Sequence, residues 1–96
     1  MPEGEEQHVT VRRLPDGGSH PALFDSLNGQ ILRILEVPVE VDVNAGDLVE
    51  VNSAKTMYLG EVRRLQGETM IVGVEHALDR ETLALIQQVW HGPAGQ

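Results

Sequence analysis

F-D-S-L-N-G-Q-I-L-R-I-L, residues 24–35, decides how this chain is read. The stretch ends one strand, reverses at Asn28-Gly29 and enters a second, more apolar strand. Asn-Gly between two apolar runs is a strong short-range hairpin signal, because both residues tolerate positive φ. Residues 22–25 read as the arriving strand, with Phe24 its anchor in the core, and residues 30–35 as the departing one. The departing strand has apolar residues at both parities, which predicts burial on both faces or a bulge.

The same reading extends in both directions. Upstream, residues 8–14 alternate, Val9 and Val11 on one side against Thr10 and Arg12 on the other, and stop at the turn Pro15-Asp16-Gly17-Gly18. Downstream, Val37, Val39, Val41 and Val43 alternate with Pro38, Glu40 and Asp42, which predicts a strand over residues 37–43. Pro38 cannot donate to a ladder, so that strand belongs at an edge or begins there. Asn44-Ala45-Gly46 turns the chain into residues 47–51, where Val49 and Val51 share a face. A polar loop at 52–55 leads to a strand over 57–65, in which Gly60 marks bending or close backbone approach. Gln66-Gly67 turns again, and the strand over 69–75 directs Met70, Val72 and Val74 inward. Asp79 then caps a helix whose apolar stripe is Leu83, Ile86, Val89 and Trp90, ended by Gly92-Pro93. That stripe suits plugging one mouth of a barrel or docking a partner.

Six to seven short strands followed by one helix describe a mainly β fold, a small antiparallel barrel with a C-terminal α-helix. The expected organisation is a disordered acidic tail over 1–7, one domain over 8–92 and a flexible tail over 93–96. The chain has 96 residues, 15 acidic and seven basic, for a net charge of −8. Nucleic-acid backbones call for clustered cations, so DNA and RNA are not expected partners. No cysteine is present, which excludes disulfides and thiol chemistry. With no signal-like segment and no apolar run of about 18 residues, the expectation is a cytoplasmic protein without membrane insertion.

Several segments together carry a likeness to a known family. They are the spacing S-x-x-G (Ser26, Gly29) entering an apolar strand, A-G-D-L-V-E-V (45–51), Y-L-G-E-V-R-R (58–64) and the closing V-G-V-E-H (72–76). In strand order and in these segments, residues 8–78 resemble a PilZ domain, a small barrel best known for sensing cyclic-di-GMP in bacteria. The resemblance implies two ligand motifs. One is R-x-x-x-R in an arm before the first strand, which grips phosphates and stacks on guanine, a task suited to the planar arginine fork. Here the arm position holds M-P-E-G-E-E-Q, without arginine. Arg12 and Arg13 fall inside the first strand instead. The other motif is [D/N]-x-S-x-x-G, whose serine and glycine match Ser26 and Gly29. Its acidic position falls on Phe24, and Asp25, one residue off, is expected on the opposite strand face.

The expected function is thus a PilZ-like regulatory or interaction module of bacterial signalling, with another protein as partner and weak or no cyclic-di-GMP binding. One alternative is a genuine cyclic-di-GMP receptor using Arg12, Arg13, Ser26 and Gly29. Another is an SH3-like barrel serving as adaptor or assembly subunit. His8, His20, His76 and His91 lack metal-ligand spacing. The serines, paired carboxylates and glycines lie in no nucleophile-elbow, acid/base or phosphate-loop context, so neither an enzyme nor a metal or certain cofactor is expected. Arg33, Arg63 and Arg64 are the remaining cations of interest. Strict alternation points Arg63 and Arg64 to opposite faces, so at most one of them would serve a given groove.

Overall fold

The computed structural model describes residues 8–79 and residue 81. It contains six strands: β1 (His8–Arg13), β2 (Ser19–Asn28), β3 (Ile31–Leu35), β4 (Leu48–Asn52), β5 (Thr56–Gln66) and β6 (Thr69–Asp79). They close into an antiparallel barrel in the order β1-β2-β3-β6-β5-β4. The barrel is therefore two three-stranded meanders, β1-β2-β3 and β4-β5-β6, joined along two seams. One seam pairs Leu32 with Val72, and the other pairs Val11 with Val51. Six strands, rather than the five of an SH3-like barrel, enclose the core. The tails over 1–7 and 93–96 and the expected C-terminal helix lie outside the described residues, Glu81 excepted.

Alternation builds the interior as the sequence implies. Val9, Val11, Leu32, Ile34, Val49, Val51, Val62, Met70 and Val72 are buried, with Phe24, Tyr58 and Val74 packed against them. Among the described residues no polar or charged residue is buried. The centre of the barrel is thus a dry aliphatic core, and any binding chemistry belongs to its outer face or its mouths.

Residues 37–43 are not a strand. Val39–Val41 form a short 3₁₀ turn that starts from Pro38, with Val41 N–H donating to the Pro38 carbonyl at 3.1 Å. Pro38 supplies no ladder donor, and Glu36 and Asp42 bracket the segment with φ of 56° and 55°, which no strand accommodates. Val37, Val41 and Val43 are buried, whereas Val39 is 86% exposed. The valine repeat serves a segment draped across one barrel mouth, held there by Val37 N–H donating to the Glu68 carbonyl at 2.9 Å.

Both tight hairpins turn one residue later than the sequence suggests. Asn28 pairs with Ile31 and Gln66 with Thr69, so the turn residues are Gly29-Gln30 and Gly67-Glu68. Gly29 and Gly67 have φ of 61° and 58°, and glycine at the first central position is the type II′ arrangement that matches strand twist. β3 has one buried face, with Leu32 and Ile34 inside and Ile31 47% exposed. β6 runs through Asp79, which pairs with Thr56, four residues beyond the expected strand end.

Three bulges interrupt the alternation. On β2, Phe24 pairs with Ile34 and Ser26 with Arg33, which leaves Asp25 as the extra residue. On β5, Val62 pairs with Val72 and Arg64 with Ile71, which leaves Arg63. On β6, Gly60 faces Val74 and Leu59 faces His76, which leaves Glu75. A bulge opposes two residues of one strand to one of its neighbour and re-aims the side chains there.

Candidate functional site

The strand directions separate the residues that the sequence nominates. β1 ends at Arg13 and β2 begins at Ser19 at the mouth covered by the Val37–Val43 segment. His8, the Gly29-Gln30 turn and Asp79 lie at the other mouth. Arg12 pairs with Ser19, seven positions along β2 from Ser26, a separation of about 23 Å at the usual strand rise. The chain enters β1 at His8, opposite Leu23 and three positions from Ser26. The structure thus places Arg12 and Arg13 at one end of the barrel and Ser26 and Gly29 at the other.

Arg12 is also engaged. Its Nε donates to Glu50 Oε1 at 3.0 Å, its Nη2 reaches the same oxygen, and its Nη1 donates to the Pro15 carbonyl at 3.3 Å. Asn52 Nδ2 donates to the other Glu50 oxygen at 2.8 Å. Glu50 is only 14% exposed, so this network joins β1 to β4 rather than waiting for an anion. Arg33 and Asp25 form a looser pair at 3.4 Å, 54% and 39% exposed. Exposed pairs contribute little, whereas removing one member of a shielded, hydrogen-bonded pair strands its partner. Glu50→Ala is therefore expected to cost about 1–3 kcal/mol, and Arg33→Ala under about 0.5 kcal/mol. Urea denaturation of both variants checks this, and equal midpoints would contradict it.

Asp25 departs from its expected placement. Phe24 pairs with buried Ile34 and Leu27 with buried Leu32, so both point inward, and the bulge puts Asp25 and Ser26 together on the outer face between them. The one-residue offset from the acidic motif position is thereby taken up. Arg63 and Arg64 behave alike. They lie between inward-facing Val62 and Leu65, the partner of Met70, and both are exposed on the outer face. The expectation that they face opposite ways is overturned by the extra residue. A row across the outer sheet then reads Ser26, Arg33, Ile71, Arg64.

Two pockets open at the barrel mouths. One, of about 240 Å³, is lined by Phe24, Tyr58 and residues 53–56, with Lys55 on its rim. The other, of about 370 Å³, lies between the draped Val37–Val43 segment and the β5–β6 turn. The 53–56 loop is held by the Ser53 hydroxyl, which donates to the Thr56 carbonyl at 3.0 Å and accepts from the Thr56 N–H at 3.0 Å. Among the described residues no three His, Asp or Glu side chains gather as metal ligands, and no helix is long and apolar enough to cross a membrane.

No model of a known protein family matches this chain, and searches of curated proteins and of solved structures likewise find no match.

Proposed function

We propose that this chain is a PilZ-like, non-catalytic regulatory module that works through protein contacts and binds cyclic-di-GMP weakly or not at all. The observation that supports the barrel side of this reading is closure by six antiparallel strands, with the chain entering β1 at the Ser26 end. His8, the first described residue, lies at the same mouth as Ser26 and Gly29, opposite Leu23 and three positions along β2 from Ser26. The ligand side rests on the arm's composition. Three glutamates and no arginine stand where a phosphate grip is required. Two lost charge-assisted contacts, at about 1.5–3 kcal/mol each, weaken binding by about two to four powers of ten.

Isothermal calorimetry of the chain with cyclic-di-GMP at about 50 mM salt, where electrostatic contacts are little screened, is expected to show no micromolar binding. A micromolar dissociation constant would overturn the reading. The shared outer placement of Asp25 and Ser26 favours a second one, in which the barrel is a genuine receptor and these side chains hold a guanine edge. Under that reading Asp25→Ala and Ser26→Ala each abolish the calorimetric signal. Arg12→Ala and Arg13→Ala leave it intact, since both lie at the far end.

A further inference from the structure

We propose that the outer surface of β3, β6 and β5, around Arg33, Arg63 and Arg64, is a docking face for an extended acidic segment of a partner protein. The proposal rests on the interaction-module reading and names the chemistry of its partner. The β5 bulge gathers the cations by bringing Arg63 and Arg64 to one face. Gly73 then draws Arg63 across β6. A Cβ at Gly73 would fall inside contact distance of Arg63 Nε, 2.9 Å from its Nη2 and 3.0 Å from its Cζ. The guanidinium therefore lies over the bare backbone of Gly73, which is buried beneath it. Gly73 pairs with Ile31 on β3, two residues from Arg33. The result is a basic strip with an apolar floor of Ile31, 47% exposed, and half-buried Ile71.

Charge complementarity gives the occupant. The chain carries −8 overall, yet three of the six cations among the described residues stand on this one flank. Arg12 is held by Glu50, Arg13 lies at the draped mouth, and Lys55 is on the opposite rim. Among the described residues, Arg33 is the one cation of the strip with a carboxylate within ion-pair distance. Asp25 reaches only Arg33, in the exposed pair. Glu61, beside Gly73 in the register, turns its Oε2 toward Gly46. Arg33 and Arg64 stand two strands apart across Ile71, their backbones about 10 Å from each other. Carboxylates two residues apart on an extended chain project to the same side about 7 Å apart, within reach of both long arginine side chains. The two pockets lie at the mouths, so this face is a shallow flank suited to a strand-like segment.

The test is a ¹⁵N–¹H titration of the full chain with a short peptide of alternating glutamate and leucine at about 50 mM salt. Shifts are expected at residues 31–33, 63–64 and 71–73, and affinity should fall at least fivefold on raising salt to about 200 mM. An R63E/R64E double variant should lose the shifts. Both side chains are exposed, so the fold is kept, and R33E supplies an independent second loss. K55E should bind as the parent does. Shifts elsewhere, shifts surviving R63E/R64E, an equal response to a lysine–leucine peptide, or reproduction of the pattern by inorganic phosphate would each overturn the proposal. Cyclic-di-GMP titrated into a parallel sample tests the functional reading separately. Tight nucleotide binding overturns that reading, whereas absent peptide binding alone overturns only the docking face.

Discussion

Gly60→Ala is expected to destabilise the barrel by about 3 kcal/mol, a large share of the roughly 5–15 kcal/mol that holds a domain of this size folded. Gly60 is buried on β5, beside the bulge that leaves Glu75 unpaired. A Cβ there would overlap the Gly73 carbonyl oxygen and sit 2.9 Å from Val72 Cγ1 and 3.0 Å from the Gly73 carbonyl carbon. Two of those three atoms belong to the backbone of the neighbouring strand, so no side-chain rotation relieves the contact. β6 must move away from β5, and the inward placement of Val72 and Val74 moves with it. The midpoint of urea denaturation should fall by about 2–3 M, given a slope of about 1 kcal/mol per molar for a small domain. An unchanged midpoint would mean that the two strands do not approach this closely in solution. Alanine at Gly67, which has nothing within 4 Å of its would-be Cβ, serves as comparison. Its positive φ of 58° limits the cost to backbone strain of about 1 kcal/mol.

Leu32→Ala is expected to cost about 3–4 kcal/mol, while Ile31→Ala, one residue away, should cost under about 0.5 kcal/mol. Leu32 is completely buried and sits in the seam between the two meanders, paired with Leu27 and Val72. Its truncation removes apolar contact and leaves a cavity among valines that relax only partly. Ile31 lies on the outer face, 47% exposed. The contrast separates single-face burial of β3 from the two-faced burial suggested by its unbroken apolar run. Thermal or urea denaturation of both variants measures it, and comparable losses would show that Ile31 is covered in solution.

The six strands were legible because aliphatic residues at every second position leave little choice of face. Val9 and Val11, Val49 and Val51, and Met70 and Val72 all point where that periodicity sends them. It misled at residues 37–43, where valines at the same spacing line a draped segment. Pro38 carried the warning there, as a residue that cannot join a ladder. The bulges at Asp25, Arg63 and Glu75 were missed for a related reason, since a strict period of two has no place for an extra residue. Their signal was nonetheless in the chain. Asp25-Ser26, Arg63-Arg64 and Glu75-His76 are each a pair of consecutive polar residues set between inward-facing apolar ones. Read that way, the shared faces of Asp25 with Ser26 and of Arg63 with Arg64 follow from the sequence. The bend of Arg63 over Gly73 does not, because it depends on which strand lies opposite, and that is settled only when the barrel closes.

The division into two meanders has a bearing on how the chain reaches its native state. Within each meander every pairing is between sequence neighbours, and such hairpins form within microseconds. The two seams instead join partners from different halves of the chain, and pairings of that kind dominate the folding time of β-rich domains. Neither half encloses a core alone, since Val11 and Leu32 find their covering residues Val51 and Val72 in the other half. Closing the barrel must therefore bring together two halves of the chain that are tethered by the Val37–Val43 segment and the turn that follows. Once the seams are closed, that linker covers one mouth of the barrel and buries Val37, Val41 and Val43 against the shared core.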